Sequence, residues 1–196
     1  YSSGGHVKVI LSYNQRLVSG SEYIKLLQNR VPTAINLDDA VKQGIQLLHH
    51  KVFVFNDTAV STGSANPTYS GLYWNDENTV IIWWRKLAEL YKARFEELWR
   101  RFTARLEITV YEGDKLAENA FVNVTAMNLG ELTGGAITSY SYTSYTDSLG
   151  RAVFEAYAWY PVPVSLFTIN VSTPAGSNAT SVYLGLENNT VSLTLW

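Results

Sequence analysis

Between Thr79 and Arg105 (TVIIWWRKLAELYKARFEELWRRFTAR) the chain carries its one long helical pattern, and past Arg105 the apolar period falls from near 3.6 to 2. That switch constrains the fold more than any other feature. Val80, Trp84, Leu87, Tyr91, Phe95, Leu98 and Phe102 recur three and four apart, which predicts one apolar helix face over 79–105. Trp83, Leu90 and Trp99 form a second, offset row. No Gly or Pro interrupts the run, and Leu, Ala, Glu, Lys and Arg fill the rest. Asn75, Asp76, Glu77, Asn78 and Thr79 read as capping oxygens and favourable negative charge; Arg100, Arg101 and Arg105 complement the other end of the helix dipole.

Beyond the helix, Leu106, Ile108 and Val110 alternate with Glu107, Thr109 and Tyr111, and further short strands follow at regular turns such as Gly113-Asp114 and Asp147-Ser148-Leu149-Gly150. This half predicts an antiparallel β-sandwich. The N-terminal half is mixed. VKVILSY (7–13) reads as a strand behind a Gly-Gly hinge. Short helices are expected over 19–29 and 36–50, a buried strand over KVFVF (51–55), and a polar surface loop over 56–71. The expected fold class is α+β: a mixed region (1–105) ending in the long amphipathic helix, then a sandwich domain (106–196).

Ala120, Val122 and Val124, followed by Thr146, Asp147, Gly150, Ala152 and Phe154, resemble the paired "A-x-V-x-V" and "T-D-x-x-G-x-A-x-F" strands of transthyretin-like or carboxypeptidase-regulatory-like modules. The likeness spans about residues 105–173 and implies an immunoglobulin-like sandwich, usually in extracellular adhesion or accessory modules. In overall composition the chain is similar to secreted surface-filament proteins of thermophilic archaea.

Composition removes several function classes. With 46% hydrophobic residues the chain can bury a core, and a net charge of −2 supplies no basic field for nucleic acid. Cysteine is absent, which excludes disulfides, thiolate metal sites and a cysteine nucleophile. No apolar run is long enough to span a membrane. A start at Tyr1 followed by Ser-Ser-Gly-Gly reads as a mature chain freed of a signal peptide. Asn56, Asn123, Asn170, Asn178 and Asn188 each open an Asn-x-Ser/Thr sequon. Together these point to an extracellular, N-glycosylated protein.

No catalytic constellation stands out. His49 and His50, read as the end of a helix, diverge too far to share a site, and His6 stands alone. Ser21 and Ser64 lack a nucleophile-elbow pattern, and Gly134-Gly135 leads into no phosphate-binding helix. Glu112, Asp114 and Asp147 offer oxygens for Ca²⁺ at one end of the sandwich, but nothing singles out a metal or cofactor. The expectation is therefore a non-enzymatic structural subunit, without cofactors, that assembles into an extracellular homo-polymer, a filament or pilus. Donor-strand exchange would use Val7, Val9, Leu11 and Tyr13, with Trp83, Leu90 and Trp99 as a further subunit interface. The alternatives are a monomeric adhesion or carbohydrate-binding module, with Trp74 and Trp159 as stacking surfaces, and a virion surface or capsid protein.

Overall fold

The computed structural model describes residues 6–36, 49–127, 129–157, 165–184 and 187–196. The chain divides into two compact units, Tyr1–Arg101 and Phe102–Trp196. In the first, β1 (Val9–Ser12) pairs in parallel with β2 (Thr33–Asn36), and α1 (Tyr23–Gln28) lies between them in the chain. Tyr23, Leu27, Ala34 and Ile35 are buried here. A separate antiparallel sheet follows, ordered β3 (Val52–Phe55), β4 (Ala59–Gly63) and β5 (Thr79–Trp83), with the short helix α2 (Tyr69–Tyr73) between β4 and β5. The β3–β4 connection is a tight turn in which Asn56 (φ 45°) and Asp57 (φ 56°) are left-handed, and Thr58 N–H donates to the Phe55 carbonyl at 2.9 Å. Two positive φ values in succession match the twist of a hairpin, and Asn and Asp tolerate them best after Gly. Helix α3 (Arg85–Phe102) closes the unit; its Lys92 pairs with Asp57 at 2.8 Å, and Lys8 sits 5.0 Å over the ring of buried Trp99.

The second unit holds two four-stranded sheets. In one, β6 (Thr103–Glu112) lies between β10 (Arg151–Tyr157) and β13 (Glu187–Leu195), with β7 (Lys115–Leu116) folded onto its end. The other runs β12 (Gly176–Leu184), β11 (Ser165–Thr173), β8 (Phe121–Ala126) and β9 (Tyr140–Tyr145). A one-turn helix, α4 (Gly130–Thr133), joins β8 to β9. Alternate residues make the core: Leu106, Ile108 and Val110 of β6, Val122 and Val124 of β8, and Phe167, Ile169 and Val171 of β11 are buried. Thr146 pins the start of the turn before β10: its hydroxyl accepts from Ala120 N–H at 2.8 Å and donates to the Ala117 carbonyl at 2.5 Å.

The fold class differs from the α+β expectation. Strands dominate, and they form several separate sheets. Four β-branched residues, Thr79, Val80, Ile81 and Ile82, open the segment expected to be helical, and they pair with β4 as a strand. Helix is confined to Arg85–Phe102, and Thr103–Arg105 already belong to β6. The wholly antiparallel immunoglobulin-like sandwich does not form either, because β13 returns parallel to β6 along its length. KVFVF is a strand from Val52, but it is not buried on both faces: Phe53 and Phe55 are about half exposed. The helix expected over 36–50 falls largely outside the described residues; Asn36 ends β2, and His49 and His50 are in no helix.

Candidate active site

Antiparallel pairing of β3, β4 and β5 gathers three chain segments at one end of their sheet. Val52 pairs with Thr62, and Gly63 with Thr79. The residues entering β3 (49–51) and entering β5 (75–78) therefore flank those leaving β4 (64–66) at the same sheet end. The three segments carry His49, Lys51, Ser64, Asn66, Asn75, Glu77 and Asn78.

Ser64 is the knot of this cluster. Its N–H donates to the Asn78 carbonyl at 3.0 Å and lies 3.1 Å from Asn78 Oδ1. Its Oγ accepts from Asn78 N–H at 3.1 Å and donates to Glu77 Oε2 at 2.5 Å. Asn75 Nδ2 donates to the other Glu77 oxygen at 3.1 Å, so both carboxylate oxygens are held. The Ser64 and Asn75 hydrogen bonds, helped by the nearby Lys51 ammonium, hold the Glu77 carboxyl below its ordinary pKa. The backbones cross closely here. A Cβ on Gly63 would stand 2.0 Å from the Asn78 carbonyl oxygen, and one on Gly71 2.4 Å from that of Asn66. Thr68 Oγ1 accepts from Gly71 N–H at 3.1 Å and caps α2, which fixes the chain just past Asn66.

His49, Ser64 and Asn66 are exposed, whereas Lys51 and Glu77 are half-buried. Lys51 Nζ donates to the His49 carbonyl at 3.1 Å, which ties the two residues together. The Ser64 hydroxyl has spent its proton on Glu77 and a lone pair on Asn78, so it braces the site and is not a free nucleophile. The groups left facing solvent are an imidazole, an ammonium and a carboxamide. That set suits an anionic, oxygen-rich group such as a phosphoryl. Among the described residues no three His, Cys, Asp or Glu side chains cluster to hold a metal ion.

Sequence reasoning read His49 as a helix end, Ser64 as a serine without an elbow and Asn75, Glu77 and Asn78 as helix caps, and gave Lys51 and Asn66 no role in a site. Its signal was positional: a His-x-Lys pair entering one strand, Gly-Ser-x-Asn leaving the next, and a Glu entering the third. On an extended chain His49 and Lys51 share a side, whereas a helical reading set His49 and His50 apart.

The residues singled out from sequence lie elsewhere. Val9 and Leu11 belong to β1, which pairs with β2 of the same chain; Val7 and Tyr13 flank it. Trp83 ends β5, and Leu90 is exposed on α3. Trp99 is buried, and nine residues from Leu90 it lies half a turn from that side chain, so the two form no common row. Asn56 is in the hairpin turn, Asn123 and Asn170 face one another on β8 and β11 with Asn123 Oδ1 buried, Asn178 donates to the Thr194 carbonyl, and Asn188 lies in β13.

The segment that builds the site is also the segment with known relatives. Residues 1–99 match the family described as cardiolipin synthase, PLD-like domain, and the chain belongs to that family. A mitochondrial cardiolipin hydrolase of Xenopus tropicalis is 33% identical over 102 residues, which cover 52% of this chain and 46% of that protein. The chain thus matches less than half the length of this relative. Among solved structures, the dioxygenase domain of a dioxygenase carbohydrate-binding protein fusion from Streptomyces sp. SirexAA-E is 13% identical, with a TM-score of 0.35 over 47% of this chain and 79% of that domain. A likeness of that size carries no argument.

Membership of this family overturns the reading as a transthyretin-like or archaeal surface-filament protein, and with it the non-enzymatic pilus subunit and its alternatives. Donor-strand exchange loses its physical basis as well, because β1 is already paired within its own chain. The extracellular, glycoprotein reading rested on sequons and on the residues at the chain's start; the relative, named as mitochondrial, points away from it.

Proposed function

We propose that this chain is a phosphodiester-cleaving enzyme of phospholipids, with a cardiolipin-type lipid as substrate, and that the β3–β5 sheet end is its active site. The observation that carries the reading is the convergence of His49, Lys51, Asn66 and the Ser64–Glu77 clasp at one sheet end, inside the family-matched segment. The names of the family and of the relative supply the lipid class.

His49 is the nucleophile. Its ring nitrogen attacks phosphorus, an N–P bond forms, and the P–O bond to the leaving alcohol breaks. The leaving oxygen takes its proton from solvent, to which this sheet end is open. Lys51 and the Asn66 carboxamide stabilise the charge on the phosphoryl oxygens as it develops. Water then attacks phosphorus and gives up a proton to solvent, the N–P bond breaks and the imidazole is restored. An alcohol in place of water would give transfer, so one site accommodates both hydrolysis and synthesis. The Ser64–Glu77–Asn78 clasp positions the strands.

The test is turnover of bis(p-nitrophenyl) phosphate and of cardiolipin by the full chain. His49→Ala is expected to lose roughly 100-fold or more in rate, with circular dichroism unchanged. Undiminished turnover by the folded variant would overturn the assignment.

A further inference from the structure

One face of the β3–β5 sheet is apolar, and its outer side chains are exposed. The register places Phe53 and Ile81 level with Ser61, and Phe55 and Trp83 level with Ala59, all on one side. Small residues on the central strand leave the outer aromatics to form the surface: Ala59 and Ser61 are buried, while Phe53, Phe55, Ile81 and Trp83 are 47%, 48%, 57% and 79% exposed. The rings of Phe53 and Phe55 stack 6.4 Å apart. The face is continuous with the active site, since Gly63 and Thr79 at its polar end adjoin the Ser64–Asn78 clasp. From there to Trp83 is four strand residues, about 13 Å.

The charges around this face have a sign. Trp83 and exposed Trp84 are followed by Arg85 and Lys86, both exposed and neither in an ion pair among the described residues. Asp57, the carboxylate at that end, is neutralised by Lys92. Glu89, one helical turn on from Arg85, lies in the field of Lys92, and Asp76 and Glu77 stand at the polar end. Indole rings beside unpaired cations suit the interface of an anionic bilayer, where Trp settles at headgroup depth and each cation meets lipid phosphate.

We propose that the Phe53–Trp83 face, with Arg85 and Lys86, docks this chain on an anionic phospholipid surface and presents its sheet end to the lipid phosphates. The inference rests on the phosphodiesterase reading for its purpose, but not for its test. The full chain is sedimented with vesicles of phosphatidylcholine alone or mixed with phosphatidylglycerol, and the same samples turn over bis(p-nitrophenyl) phosphate in solution. Binding is expected on the mixed vesicles and to be weak on phosphatidylcholine alone. The double variant Ile81→Ser/Trp83→Ser should bind at least roughly tenfold more weakly, and Arg85→Ser/Lys86→Ser should lose roughly fivefold per cation. Turnover of the soluble diester should be unchanged in both. Wild-type protein that ignores the vesicles, or variants that bind as well as wild type, would overturn the proposal. So would a wild-type dimer in solution that the Ile81→Ser/Trp83→Ser variant abolishes without vesicles, which would assign the face to a second copy. Vesicle binding by a wild type inactive on the soluble diester would support docking while sinking the phosphodiesterase reading.

Discussion

Gly63 decides how closely β4 and β5 meet at the active site. A methyl group there would collide with backbone at Asn78, which has no flexible end to move aside. Gly63→Ala is expected to cost about 1–3 kcal/mol, read from the urea midpoint, and to disable the site by parting Ser64 from Glu77. Glu77 adds a pH dependence. Its pKa is lowered in the folded chain, chiefly by the Ser64 hydrogen bond. The stability it contributes is therefore present above the unfolded value, about 4.3, and is lost as pH falls through the lower folded value. Glu77→Gln should flatten the acid limb of stability against pH; an unchanged limb would show that the clasp does not act through the carboxylate. These residues were hard to see in the sequence because each has a commonplace local explanation. Asn75–Asn78 cap helices, Ser64 and Asn66 populate loops, and a His pair ends a helix. Only strand pairing makes neighbours of residues 13 and 14 positions apart.

At the scale of elements, local chemistry and long-range pairing competed. The Asn56-Asp57 turn follows from two residues that accept positive φ, and the alternation of Leu106, Ile108 and Val110 matches their complete burial. Thr79–Ile82 show the competition most clearly. Their spacing continues the helical period, but β-branched side chains are stiff in a helix, and β4 offers a free edge for them to pair with. The interior of the second unit is sensitive to volume. Ile108, fully buried on the central strand of its sheet, should lose about 2–5 kcal/mol on replacement by Ala. Chemical denaturation checks this, with a loss below 1 kcal/mol meaning that the site collapses around the smaller residue.

The whole molecule joins a family-matched unit to a second, strand-dominated unit, and the Ile108→Ala and Gly63→Ala variants should report on them separately. We expect calorimetry to resolve two transitions, one lowered by Ile108→Ala and the other by Gly63→Ala. Diester turnover should survive the first substitution below its transition. A single transition shifted equally by both would show that the units unfold as one. By itself the sequence determined the local preferences: the alternation of β6, the Asn-Asp turn, the absence of cysteine chemistry. Those depend on residues a few positions apart and on the intrinsic geometry of the backbone. The tertiary structure alone decided that Thr79–Trp83 pairs as a strand, that β13 lies parallel to β6, and that His49, Lys51, Ser64, Asn66 and Glu77 share one sheet end. Each of those outcomes is a contact between distant segments, and the energy that selects it exists only once the partner strand is in place.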